Sequence, residues 1–106
     1  MPRPRRFRIV RDMPAATFFK PVGMPMKDAE MTVLTVEEFE ALRLKDLLGM
    51  GQAEAAEKMG VSQPTFHRML TEARKKVADA LANGKAISIE GGRFVLNGRR
   101  RRMGRP

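Results

Sequence analysis

Residues 59–62 read Met59-Gly60-Val61-Ser62 in the middle of an otherwise helical stretch. Glycine is the residue that accepts the left-handed conformation closing a helix. Serine is a strong N-cap, and Pro64 is tolerated in the first turn of the helix behind it. The chain is therefore expected to end one helix at Gly60, tuck Val61 inward and start the next at once, as a helix-turn-helix. The side chains suit such a corner: Ala55, Met59, Val61, Phe66 and Met69 are the ones it must bury. Ala56 sits where only a small side chain fits between the helices. The plainer alternative is a helical corner that serves only as scaffold.

The rest of the chain is read outward from this corner. Upstream, Leu34-Thr35-Val36-Glu37-Glu38-Phe39 carries a capping box between Thr35 and Glu38, with Leu34 and Phe39 placed for a hydrophobic staple. Phe39, Leu42 and Leu47 form the expected inward stripe of this first helix, which Leu48-Gly49-Met50-Gly51 ends. The second helix runs from Gln52 to Met59. The third covers 62–82 with Phe66, Met69, Leu70, Ala73, Val77 and Leu81 on its buried side. Residues 86–96 read as a β-hairpin, two apolar arms around Gly91-Gly92. In 13–34, Pro14, Pro21 and Pro25 forbid regular helix, and Phe18, Phe19, Val22 and Met24 are expected to pack over the domain as an irregular cover. Phe7, Ile9 and Val10 can supply a short strand within a basic arm, 1–12. The expected class is mainly α: a three-helix helix-turn-helix domain at 35–82, a short C-terminal β-hairpin, and extended basic tails, the second at 97–106.

Charge distribution narrows the function. The chain of 106 residues has a net charge of +9. Residues 1–12 hold +4 and residues 93–106 hold +6, while 13–92 sum to −1. A nearly neutral body with two arginine tails suits a polyanion, since each neutralised phosphate releases counterions and guanidinium is a good phosphate fork. The tails lack the apolar face of an interfacial helix. No apolar run approaches the roughly 18 residues of a membrane span. The expected location is the cytoplasm, on the nucleoid. There is no cysteine and only one histidine, so a thiolate metal site, a disulfide or a thiol nucleophile is excluded. Neither paired carboxylates, a phosphate loop nor a catalytic triad is found. No enzyme, cofactor or metal is expected.

A helix-turn-helix reads DNA by laying the exposed start of its second helix in the major groove. The outward residues there are Gln63, Pro64, Thr65, His67 and Arg68. Gln63 can pair bidentately with adenine and Arg68 with guanine, while Thr65 can touch a phosphate or a thymine methyl. His67 is either a base or phosphate contact or a solvated helix position. Ser62, Arg74, Lys75 and Lys76 are candidate phosphate contacts on the domain, and Arg5, Arg6, Arg99, Arg100, Arg101 and Arg102 on the tails. For the cations at 74–76 a purely electrostatic role at the helix C-terminus is an equal alternative.

Residues 51–77 look like the promoter-reading region of sigma factors. The whole chain resembles a prokaryotic family of predicted DNA-binding proteins, uncharacterised family 0251 or domain of unknown function 134. The matching pieces are Met1-Pro-Arg-Pro-Arg5, Phe19-Lys-Pro-Val-Gly-Met-Pro25, Leu34-Thr-Val-Glu-Glu-Phe-Glu-Ala-Leu-Arg-Leu44 and residues 73–86. The resemblance covers roughly residues 1–90. It implies a DNA-binding protein with a sigma-like helix-turn-helix, a transcriptional regulator of unspecified target. Members often carry cysteines in the N-terminal segment or a longer tail, and this chain has none, so redox or metal sensing does not carry over. The expected partners are double-stranded DNA and a second copy, as a homodimer or higher homo-oligomer. Three placements of the 86–96 hairpin stay open: a wing with Arg93 near its tip, a sheet with the N-terminal segment, or a dimer contact. The alternative function is an architectural DNA- or RNA-binding protein driven by its arginine tails.

Overall fold

The computed structural model describes residues 7–25, 27 and 29–96. Strands β1 (Arg8–Val10), β2 (Phe18–Phe19) and β3 (Met31–Leu34) precede helix α1 (Val36–Leu42), which runs on into a π-helical turn, Arg43–Leu47. Helices α2 (Gln52–Met59) and α3 (Gln63–Asn83) follow, then strands β4 (Ala86–Ile89) and β5 (Phe94–Leu96). The capping box at the head of α1 is formed in both directions. Glu38 N–H donates to Thr35 Oγ1 at 3.2 Å and Thr35 N–H donates to Glu38 Oε1 at 3.0 Å.

The expected mainly α class with a C-terminal hairpin is corrected. The described residues form an α/β mix, with three helices and two small sheets. β4 and β5 do not pair with each other. β4 is the centre of a three-stranded sheet, antiparallel to β2 and parallel to β3, with Val33 opposite Ser88 and Leu34 opposite Ile89. β5 instead lies parallel to β1, with Val10 opposite Leu96. The Gly91-Gly92 turn exists, at φ 76° and 102°, but it is spent on α1. Val36 N–H donates to the Gly91 carbonyl at 3.2 Å and Arg93 N–H donates to Glu37 Oε1 at 2.9 Å. Held there, the chain cannot fold back on β4, and β5 is delivered to β1. The expected strand near Ile9 and Val10 is present, and the segment expected to be irregular supplies β2 and β3.

Two apolar cores are threaded on the 21 residues of α3. The first half of α3 brings Phe66, Met69 and Leu70 against Ala41, Leu44, Ala55, Ala56 and Met59. The second brings Ala73 and Val77 against Val10, Leu34, Val36 and Ile89 beneath the sheets. Leu42 touches both cores.

Several expected core positions are moved. Leu47 is 75% exposed, because the π-helical turn bonds Leu48 N–H to the Arg43 carbonyl five residues back and so shifts the phase to bury Leu44 instead. On α3 the stripe ends at Ala80 rather than Leu81, which is 78% exposed. Phe18, Phe19 and Val22 are exposed rather than packed as a cover, the first two on the edge strand β2 and Val22 in the turn that follows it. No described helix is long and apolar enough to cross a membrane.

At the corner Gly60 lies in the left-handed region (φ 69°, ψ 32°), and Val61 N–H reaches back to the Ala56 carbonyl at 3.0 Å. A side chain on Gly60 would also meet Ile9 Cδ1 at 3.2 Å. Gly60→Ala is therefore expected to lower the unfolding free energy by about 1–2 kcal/mol in urea denaturation. Gly92→Ala should cost more, because its φ of 102° is outside the left-handed helical basin and the new methyl meets the Glu37 carboxylate. Two variants as stable as the parent would refute this account of the corner and the docked turn.

Candidate nucleic-acid interface

The start of α3 is shaped by its own cap. Ser62 Oγ accepts from Thr65 N–H at 3.2 Å and donates to Thr65 Oγ1 at 3.0 Å. Arg68 Nη2 also donates to Thr65 Oγ1, at 3.4 Å. The Ser62 hydroxyl is thus engaged in the cap, with Thr65 N–H and Thr65 Oγ1 as its partners. Thr65 is half-buried with its acceptor capacity filled, and it keeps one proton to donate outward.

Because Phe66, Met69 and Leu70 face the core, helical spacing leaves Gln63, Pro64, His67 and Arg68 exposed on the other side. These four share a shallow depression with Gln52 from the first turn of α2. Gln52 Nε2 lies 3.5 Å from His67 Nδ1. Sequence reasoning missed Gln52, and no local signal marks it, since only the crossing of α2 over α3 brings it to a residue fifteen positions away.

The three cations farther along α3 divide. Arg74 makes a bidentate pair with Asp46 of the π-helical turn, Nη2 to Oδ1 at 2.6 Å and Nε to Oδ2 at 3.0 Å. Arg74 holds the Asp46 carboxyl below its usual range, and the same bond raises the pKa of the guanidinium. Lys76 is half-buried on Glu38 Oε1 at 2.7 Å. Only Lys75 stays exposed with no ion pair among the described residues. Two of the expected phosphate contacts are therefore engaged within the fold.

Arg5, Arg6, Arg99, Arg100, Arg101 and Arg102 lie outside the described residues. Arg93 is exposed, but its turn is docked on α1 rather than projecting as a wing. Of the three placements, the sheet with the N-terminal segment is present, through β5 on β1.

Comparison with known proteins places residues 1–97 under the family model described as "Protein of unknown function DUF134". The UPF0251 protein of Caldanaerobacter subterraneus subsp. tengcongensis is 57% identical over 98 residues, 92% of this chain and 83% of the relative. That of Thermoanaerobacter pseudethanolicus is 60% identical over 94 residues, 89% of this chain and 80% of its own. That of Dehalococcoides mccartyi (strain ATCC BAA-2266 / KCTC 15142 / 195) is 56% identical over 99 residues, 93% and 85%. No solved structure matches the chain.

The Asp46–Arg74 pair has an acid signature. A carboxyl whose pKa is depressed on folding stabilises the fold above its unfolded pKa, near 3.9, and loses that contribution as pH falls through the lower folded value. Thermal melts of the parent and Asp46→Asn should differ most at neutral pH, with the parent more stable, and converge in strong acid. A gap that persists there would mean the carboxylate's charge is not what the pair uses.

Proposed function

The chain belongs to the DUF134 family, and we propose that, as a member, it reads double-stranded DNA as a regulator of transcription, with the start of α3 in the major groove. The observation that carries this reading is the joint exposure of Gln63, Pro64, His67 and Arg68 on one face of a capped helix whose other face is locked into the core. The α2–α3 corner is then a helix-turn-helix in the functional sense, with α2 crossing the backbone. Gln63 suits adenine and Arg68 guanine, each as a bidentate partner. Thr65 contributes a donor only, to a phosphate oxygen or a base acceptor. Two copies are proposed to address successive major grooves, in the cytoplasm on the nucleoid.

Phosphate neutralisation comes from Lys75 and the arginine tails, since Arg74 and Lys76 are engaged elsewhere. That division also keeps the second reading alive, in which the tails hold any nucleic acid and the corner is a scaffold. The two readings separate on a chain trimmed to residues 7–98, which retains β1 and its buried Val10. Sequence reading predicts that the trimmed chain keeps its preferred site over random DNA with lower affinity for both. Scaffold-only binding predicts that nearly all affinity goes.

Arg68→Ala should cost about 1–3 kcal/mol on the preferred site and relax the preference at one base pair. Lys75→Ala should weaken all sequences alike and lower the salt slope by about one, whereas Arg74→Ala should leave that slope unchanged. Binding titrations over a series of salt concentrations measure both. Equal losses on every sequence for Arg68→Ala would remove base reading.

A further inference from the structure

The depression at the head of α3 contains one residue that the DNA reading has not used. Gln52 is the first residue of α2, half-buried, with its amide nitrogen 3.5 Å from His67 Nδ1. A neutral imidazole has one donor nitrogen and one acceptor nitrogen, and a bond at one fixes the role of the other. If the Gln52 amide donates to Nδ1, the ring must be the tautomer with its proton on Nε2. In that tautomer the imidazole is held at its α2 side and presents a single N–H donor away from it.

We propose that Gln52 is a positioning residue for base reading, holding His67 with Nε2–H outward so that the ring donates to an acceptor on a base edge. The proposal rests on the DNA-binding reading above. His67 then differs from its neighbours on the same face. Gln63 and Arg68 offer two groups each and can distinguish adenine or guanine bidentately, whereas a single donor needs its direction set by something else to discriminate at all. Nothing on α3 supplies that direction, because the residues one turn either side of His67 are Gln63, Pro64, Leu70 and Thr71, and none of them bonds the ring. The direction comes from the preceding helix, across the corner. Gln52 thereby links the angle between α2 and α3 to what the groove-facing surface can select.

The test uses the full chain. Selection from a random-sequence duplex pool first yields the motif bound by the parent. Competition binding then compares the parent, Gln52→Ala, His67→Ala and the double variant on that motif and on each of its single base-pair changes. Gln52→Ala is expected to lose about threefold or more of the preference at the same base pair as His67→Ala, with the double variant no worse there than His67→Ala alone, the coupling expected of two residues in contact. A merely structural role for Gln52 lowers affinity on every sequence alike, and a direct DNA contact lowers it equally with and without His67. Either result overturns the proposal while leaving DNA reading intact. Failure of the parent to select any motif would remove base reading itself, and this inference with it.

Discussion

Gly60 carries two constraints at one α-carbon: a left-handed backbone and Ile9 packed against the place where a side chain would begin. The first closes α2 and lets α3 start three residues later; the second lets β1 lie behind the turn. Without either, the corner opens or the strand moves off it. Because α3 passes through both apolar cores, the angle set at Gly60 decides how the helical half meets the sheet half. The exposed start of α3 is the by-product of that geometry, since its buried side is pinned by Phe66, Met69 and Leu70.

Charge inside the fold is used to tie strands and helices together. Glu40 is 3% exposed and holds the Arg43 guanidinium through two bonds at 2.8 and 2.9 Å while accepting the Arg11 backbone N–H at 3.2 Å. Glu38 closes the capping box and also receives Lys76. Buried pairs of this kind contribute little net stability, but removing one partner strands the other in a poor solvent. The cost shows at Glu37, whose pKa is raised first of all by burial even though Arg93 N–H and the Arg8 charge work against the shift. Among the described residues, Lys58 and Lys75 are exposed cations that none of these pairs engages, beside the exposed set at the head of α3.

Elements whose signals are local were legible before the fold was known. The Thr35–Glu38 box, the glycine that ends α2 and the Ser62 cap each depend on groups within five residues of one another, and each has the bonds its residues implied. The exposed positions at the head of α3 followed from helical spacing against an obvious apolar stripe. Where a choice lay between partners far apart in the chain, local pattern chose wrongly. Ala86–Ile89 and Phe94–Leu96 have the alternation and the glycines of a hairpin, yet their partners are β2, β3 and β1. The phase of Leu47 was lost for a different, local reason, a π-helical turn whose period is not that of the α-helix.

By itself the sequence determined the capped corner, the three helices and the side of α3 left free for solvent, because capping bonds, left-handed glycine and apolar periodicity act over one or two turns of chain. Tertiary structure alone decided which strands pair, which acids are buried, that Arg74 and Lys76 are engaged while Lys75 is not, and that Gln52 reaches His67. Those outcomes depend on the meeting of segments tens of residues apart. Each such contact is chosen by the total apolar area and the polar groups satisfied when the whole chain closes, a quantity no short window of residues contains.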